Sequence, residues 1–288
     1  MTDLMHRLDL FPLQTLRARS GAITFRAAGA GYPVVLLHGI GSGSASWLNQ
    51  YERLGSHLRV VAWDAPGYGG SAVLERDCPT ARDYAVALQC FIEALGLDCF
   101  HLVGHSLGAI MAAAYCRHFD EGQVRSLTLA DPAIGYERQP EEVRRRKTTE
   151  RIETMNHLGP KRLARSRAPN LLSSNTSPAA LRLVEYSMAR LRPEGYIQAV
   201  RMLESACLLD DAIGVELPVL VICGTEDRIT PPAMALEVMQ AYAGARYVAI
   251  PHAGHASYVE QPQMFCEALG GFLRTCAVSH SAVAGERS

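Results

Sequence analysis

The pentapeptide Gly104-His105-Ser106-Leu107-Gly108 sets a serine between two glycines, after the apolar run Phe100-His101-Leu102-Val103 and before the Ala-rich stretch Ala109-Ile110-Met111-Ala112-Ala113-Ala114. A buried strand turning sharply into a helix is the setting in which a G-x-S-x-G serine is held out as a nucleophile. Gly104 and Gly108 remove the β-carbons that would collide where strand and helix close up. A serine hydroxyl attacks a carbonyl only when a base takes its proton, and the base needs an acid to hold its tautomer. Of the ten histidines, His255 lies in Pro251-His252-Ala253-Gly254-His255, just past a strand-like run, with His252 as its local competitor. Asp227, in Gly224-Thr225-Glu226-Asp227-Arg228-Ile229-Thr230-Pro231, is the expected acid, with Glu226 and Asp131 as alternatives. The chain order Ser106, Asp227, His255 is the order of triads built on open α/β sheets. Attack on a carbonyl also needs two fixed N–H donors for the oxygen that gains charge. Leu107 would supply one, and Ile40, in the Gly-rich turn after His38-Gly39, the other. Ser42, Ser44 and Asn49 lie close enough in sequence to reach a substrate.

These residues need a scaffold that brings distant loops to one edge. Residues 14–19 and 22–27 alternate around Ser20-Gly21, which predicts an opening hairpin. Residues 33–37, Leu58–Trp63, Val124–Ala130 and 217–223 are continuous apolar runs, the mark of strands covered on both faces, and 245–250 is a further strand candidate. Helical periodicity occupies 47–54, 80–95 with Thr80 as N-cap and Gly96 as stop, 232–242 and 262–275. The alternation predicts an α/β fold with a doubly wound, mostly parallel sheet and right-handed crossovers. From 134 to 211 strand signals lapse and helix signals take over, with starts at Ser177-Pro178 and Arg192-Pro193. The division that follows is a core over 1–134, an inserted helical cap over 135–211, the rest of the core over 212–276, and a frayed tail over 277–288.

Composition excludes several function classes. With 28 Lys+Arg against 29 Asp+Glu the net charge is −1, which gives no reason to expect nucleic acid or an anionic membrane as partner. No run reaches the ~20 apolar residues of a membrane helix, and charges interrupt the N-terminus, so a cytoplasmic chain is expected. The eight cysteines form no C-x-x-C pair and sit mostly in apolar runs, which reads as reduced, buried thiols. No His/Cys/Asp cluster has ligand spacing, so neither metal nor cofactor is expected. A small-molecule partner is expected, with a homodimer left open.

The ordered motifs H-G-I-G-S, D-A-P-G-Y-G-G-S, G-H-S-L-G, G-T-E-D-R-I-T-P and G-H-A-S-Y-V-E-Q-P resemble the α/β-hydrolase fold superfamily along nearly the whole chain, the cap matching least. The resemblance implies the triad Ser106, Asp227 and His255, oxyanion donors at Ile40 and Leu107, and a lid built from the insertion. Relatives acting on haloalkanes or epoxides carry a carboxylate where Ser106 stands, so acyl chemistry is expected: esters, lactones or thioesters, or carbon–carbon cleavage of a vinylogous diketone. The chain's ending resembles 3-oxoadipate enol-lactonases, which often read H-x-S-N-x-E-x-P, with Tyr258 here at the Asn position. Trp47-Leu48-Asn49 is similar to the W-x-N stretch of meta-cleavage carbon–carbon hydrolases, whose tryptophan after the catalytic histidine is replaced here by Ala256. Ester or lactone hydrolysis is therefore the expectation, carbon–carbon cleavage the rival, and a ligand-binding member without turnover the reading from another class. The segment 135–211 carries fourteen Lys+Arg against ten Asp+Glu. Arg144-Arg145-Arg146-Lys147 reads as a solvated helix face. Arg190, with Arg192 and Arg201 as alternatives, is the candidate to meet a substrate carboxylate, and Met155, Met188, Met202 and Leu203 are candidates for an apolar pocket.

Overall fold

The apolar runs of the sequence become strands buried from both sides. In the computed structural model, which describes residues 2–284 and the side chains of 3–276, the order is α1 (Thr2–Asp9), β1 (Gln14–Ala18), β2 (Gly21–Ala28), β3 (Tyr32–Leu37), α2 (Leu48–Leu54), β4 (Leu58–Trp63), α3 (Ala81–Leu95), β5 (Phe100–His105), α4 (Leu107–His118) and β6 (Val124–Ala130). Four helices follow: α5 (Glu141–Arg167), α6 (Pro178–Met188), α7 (Pro193–Ser205) and α8 (Leu208–Asp211). The chain then returns to β7 (Val219–Gly224), α9 (Pro232–Ala241), β8 (Arg246–Ile250), α10 (Ser257–Glu260) and α11 (Pro262–Ala284).

All eight strands form one sheet in the order β1-β2-β4-β3-β5-β6-β7-β8. The β1/β2 and β2/β4 pairs are antiparallel and the other five parallel. Because side chains alternate along a strand, Val35 and Leu37 of β3 enter one core while Val34 and Leu36 enter the other. In the same way β7 sends Val221 and Cys223 one way and Leu220 and Ile222 the other. One core includes residues of α3 and α4, the other residues of α2 and α11. The chain leaves β3 toward β4 on one side and later places β5 on its other side. The loops after β3 and β5 therefore flank the point where the winding direction reverses, the usual ligand crevice of an open α/β sheet.

Several boundaries follow local chemistry. Thr80 and Asp83 form a reciprocal capping box at the start of α3, and Gly96 ends it at φ 63°. The Ser177 hydroxyl accepts from the Ala180 N–H at 3.1 Å at the start of α6. The α5 segment is two helices in succession, because Gly159 at φ 66°, ψ 169° and Pro160 break it. The expected helix over 47–54 begins instead with a 3-10 turn, Ser44–Trp47, ahead of α2. Sequence periodicity misses α1, whose only buried apolar residues are Leu4 and Leu8. The last helix runs to Ala284 rather than ending near 275, and the side chains of the expected tail 277–288 fall outside the described residues. All eight cysteines are free thiols, with Cys78 exposed, Cys99 and Cys207 half-buried and the other five buried. No helix among the described residues is long and apolar enough to cross a membrane.

Candidate active site

Ser106 sits between β5 and α4 at φ 53°, ψ −114°, a conformation that costs an L-residue ~1–3 kcal/mol and persists only where its surroundings impose it. The two flanking glycines show how. A β-carbon on Gly104 would stand 2.3 Å from the Gly108 carbonyl oxygen, and one on Gly108 would stand 2.3 Å from that of Leu37. Strand and helix thus approach to backbone contact, and the turn thrusts Ser106 out at the N-terminus of α4.

His255 comes to it on the loop after β8. Ser106 Oγ lies 2.9 Å from His255 Nε2, and His255 Nδ1 lies 2.8 Å from Asp227 Oδ2. The geometry assigns the tautomer: Nδ1–H donates to the carboxylate, leaving Nε2 to accept from the serine. Asp227 is on the loop after β7, where its Oδ1 accepts the N–H groups of Ile229 at 2.8 Å and Thr230 at 3.0 Å. Its Oδ2 also accepts the Thr230 hydroxyl at 2.8 Å. Burial pushes this carboxyl up, but the bond and charge of His255 and the Thr230 donors outweigh it, so Asp227 stays below the usual aspartate range. Neither competitor reaches His255: Glu226 faces the exposed His252 at 3.8 Å, and Asp131 bonds elsewhere.

Asp131 and His105 hold the frame around these three residues. Asp131 is fully buried at φ 44°; its carboxyl accepts the Gly224 N–H at 2.8 Å and meets the Ser257 hydroxyl at 2.6 Å, tying the loop after β6 to those after β7 and β8. Burial raises its pKa to about 7, Asp227 adding to the effect and His255 opposing it. His105 Nε2–H donates to the backbone carbonyl of His255 at 2.7 Å, fixing that loop beside Ser106. Burial first, and the neighbouring His255 second, lower the pKa of His105 to about 3, so it remains a neutral strut. Glu260 Oε2 accepts the Gly254 N–H at 2.6 Å while Oε1 takes the Ser173 hydroxyl at 2.7 Å, fastening the His255 loop to the inserted segment.

The loop carrying Ile40 is locked as firmly. His38 Nδ1 contacts the Gly39 carbonyl at 2.8 Å and Nε2 accepts the Ala65 N–H at 3.0 Å. Asp64 accepts the Ser44 N–H at 2.7 Å, and the Tyr68 hydroxyl donates to the Ile40 carbonyl at 3.0 Å. The N–H groups of Ile40 and Leu107 have no acceptor among the described residues, and both residues line the same cavity as Ser106 and His255.

That cavity, about 480 Å³, lies between the ends of the strands and the inserted helices. Ser42 lines it together with Ser46 and Tyr258. Met188 and Leu203 also reach it, as expected, whereas Met155 and Met202 are fully buried elsewhere. Two expected substrate contacts lie outside the cavity lining. Asn49 points away from the cavity, accepting from Arg7 Nη2 at 2.9 Å, because α2 turns it toward α1. Arg190 is exposed, its guanidinium 3.4 Å from the Tyr186 ring centroid one helical turn back. Of the alternatives, Arg192 is held by Glu194 and the Ser71 carbonyl, and Arg201 by the Asp77 carbonyl. The cations that do line the cavity are Lys147, Arg151, Arg167 and Arg228. Lys147 belongs to the run read as a solvated face; only Arg145 and Arg146 behave that way, pairing with Glu141 and Glu150. The overlooked signal was the i,i+4 spacing of Lys147 and Arg151, which puts both on one helix face. Asp131, Cys223 and Asp227 bring ligand-type atoms within 4.8 Å of one another, but both carboxylates already serve the backbone and side-chain bonds above.

Comparisons with known proteins agree with this architecture. The chain is 26% identical over 254 residues to the pimeloyl-[acyl-carrier protein] methyl ester esterase of Vibrio vulnificus, covering 86% of this chain and 96% of that one. It is 24% identical over 245 residues to 3-oxoadipate enol-lactonase 1 of Acinetobacter baylyi, covering 84% and 88%. Among solved structures, a thermophilic esterase from Thermogutta terrifontis, described as malate bound, superposes with a TM-score of 0.80 at 28% identity, over 92% of this chain and 99% of that one. Residues 34–268 match the model of the alpha/beta hydrolase family. A match across that span, on a sheet whose strand–serine–helix turn sits at the reversal of winding, places this chain in the alpha/beta hydrolase family.

Proposed function

We propose that the protein hydrolyses a carboxylic ester or lactone through an acyl-enzyme on Ser106. The observation that carries this is the unbroken relay from Ser106 Oγ through both nitrogens of His255 to Asp227, at 2.9 and 2.8 Å. As Oγ attacks the carbonyl carbon, its proton passes to His255 Nε2, and Asp227 stabilises the imidazolium without taking the second proton. The oxygen that gains charge is received by the N–H groups of Ile40 and Leu107, the latter at the positive end of the α4 dipole. Collapse of the tetrahedral intermediate breaks the C–O bond, and the leaving alkoxide takes the proton from Nε2. His255 then deprotonates a water that cleaves the acyl-enzyme. The similar proteins named as an ester esterase and an enol-lactonase support the acyl class.

The test is hydrolysis of p-nitrophenyl butyrate by wild type and Ser106→Ala, with intact-protein mass measured after a brief exposure to a fluorophosphonate. Ser106→Ala is expected to lose about 10⁴- to 10⁶-fold in kcat and to remain unlabelled. Equal rates, or labelling that survives the substitution, would remove this reading and favour a ligand-binding role.

A further inference from the structure

The cations of the inserted segment separate into two groups. On the outside several are paired with acids, Arg145 with Glu141, Arg138 with Asp210 and Arg192 with Glu194, and others, such as Arg162 and Arg182, are exposed to water. On the inside, Lys147 and Arg151 stand one turn apart on α5 and both line the cavity, where like charges at that spacing repel. Neither forms an ion pair with a carboxylate among the described residues. Lys147 donates to Gln139 Oε1 at 2.8 Å and lies 4.8 Å over the Tyr136 ring. Arg151 is half-buried beside the phenols of Tyr136 and Tyr196. The one carboxylate on this wall, Glu150, is exposed and turned to Arg146 at 3.7 Å. Arg167, beyond the Gly159 break, closes the same wall from the second half of α5.

A guanidinium withdrawn from water and given no acid is a costly arrangement for a surface helix, since an exposed arginine would be satisfied by solvent. It becomes favourable when a carboxylate enters, because the planar fork takes both oxygens of that group at once. Leu163, Val184, Met188, Leu191 and Leu203 give the space around it apolar walls, suited to a hydrocarbon chain with one charged end. Resting on the ester-hydrolase reading above, we propose that the substrate carries a carboxylate on its acyl part, received by Arg151 with Lys147 beside it, while its ester or lactone carbonyl lies at Ser106. Tyr136 and Tyr196 flank the guanidinium, which is charged as arginines are throughout the working pH range.

Two chromogenic esters of the same acyl length separate the possibilities: mono-p-nitrophenyl glutarate, with a terminal carboxylate, and p-nitrophenyl valerate, with a methyl group there. Wild type should prefer the glutarate ester. In Arg151→Met the ratio of kcat/KM for glutarate over valerate should fall about 10- to 100-fold, the range for a charge-assisted pair, chiefly through KM. Arg151→Lys should fall between, having charge without the fork. A ratio that is the same in wild type and Arg151→Met overturns the proposal. If wild type cleaves neither ester, the catalytic reading fails by itself, and calorimetric titration with glutarate still judges the anion site. Glutarate binding that is lost in Arg151→Met supports it; no binding to wild type, or equal binding of inorganic phosphate, overturns it.

Discussion

The two walls of the cavity satisfy their charges in opposite ways. On the core wall the charge of Asp227 is met four times over, by two backbone N–H groups, a hydroxyl and an imidazole. The adjoining Asp131 is likewise enclosed by partners. On the helical wall Arg151 and Lys147 have phenols, a ring face and an amide, but no acid. The difference separates two tasks. Acyl transfer at a serine, as proposed for Ser106, gains from dipoles fixed before the substrate arrives, since reorganising them during reaction raises the barrier. Recognition gains from charges left without a counter-ion, since those only the right ligand can complete discriminate against every other.

Asp227→Asn is the strongest way to break the core side of this comparison. Two backbone N–H groups converge on Oδ1, so the amide oxygen must take that place and the NH₂ must face His255. The imidazole would then present an unprotonated Nδ1 to the amide and an N–H to Ser106, the wrong tautomer for taking its proton. A fall in kcat of about 10³- to 10⁴-fold on p-nitrophenyl butyrate is expected, with the thermal midpoint little changed. A loss under tenfold would mean that another group, with Asp131 nearest, supplies the acid.

Asp131→Asn tests the same wall through stability. An unfolded aspartic acid loses its proton near a pH of about 3.9, whereas burial holds folded Asp131 protonated up to about 7. Between those values the folded state binds more protons than the unfolded state. Wild-type stability from this group therefore declines as pH rises through the window, by ~4 kcal/mol at most. Asparagine resembles the neutral acid and has no proton to lose, so the variant's Tm should gain on wild type steadily from a pH of about 4 to about 7.5. Parallel Tm curves would show that the Ser257 and Gly224 contacts keep Asp131 ionised.

The core wall was also the part legible in the sequence, for a physical reason. Strands covered on both faces, such as β3 and β7, must be continuously apolar. The serine turn must have glycine where backbones touch, and the acid and histidine must follow strand ends. Each requirement is local and leaves its mark in a few adjacent residues. Even Glu260, in the ending G-H-A-S-Y-V-E-Q-P, is explained by its bonds to Gly254 and Ser173. The helical wall obeys no such local rule. Which face of α5 meets the cavity depends on the break at Gly159 and on packing against α7. A run such as 144–147 therefore reads as solvated until the fold turns Lys147 inward. Asn49 follows the same pattern: near the Ile40 loop in sequence, its side chain meets Arg7 of α1 instead.

Arg190 supplies the smallest expected effect and the sharpest contrast with Arg151. Both are arginines of the inserted segment, both lie against tyrosine, and a count of charges treats them alike. The Arg190 guanidinium, however, lies on the outer surface over Tyr186 and donates to its carbonyl at 3.2 Å, where water screens it from the cavity. This contact at the surface is worth ~0.5–1 kcal/mol, which corresponds to a fall in Tm of about 1–4 °C for Arg190→Ala. The ratio of glutarate to valerate ester hydrolysis should stay within about twofold of wild type, since a screened charge discriminates little between a carboxylate and a methyl group. If Arg190→Ala moved that ratio as far as Arg151→Met does, substrate selection would follow the summed charge of the segment. Movement in Arg151→Met alone places selection in a half-buried guanidinium that lines the cavity and that the fold has left without an acid.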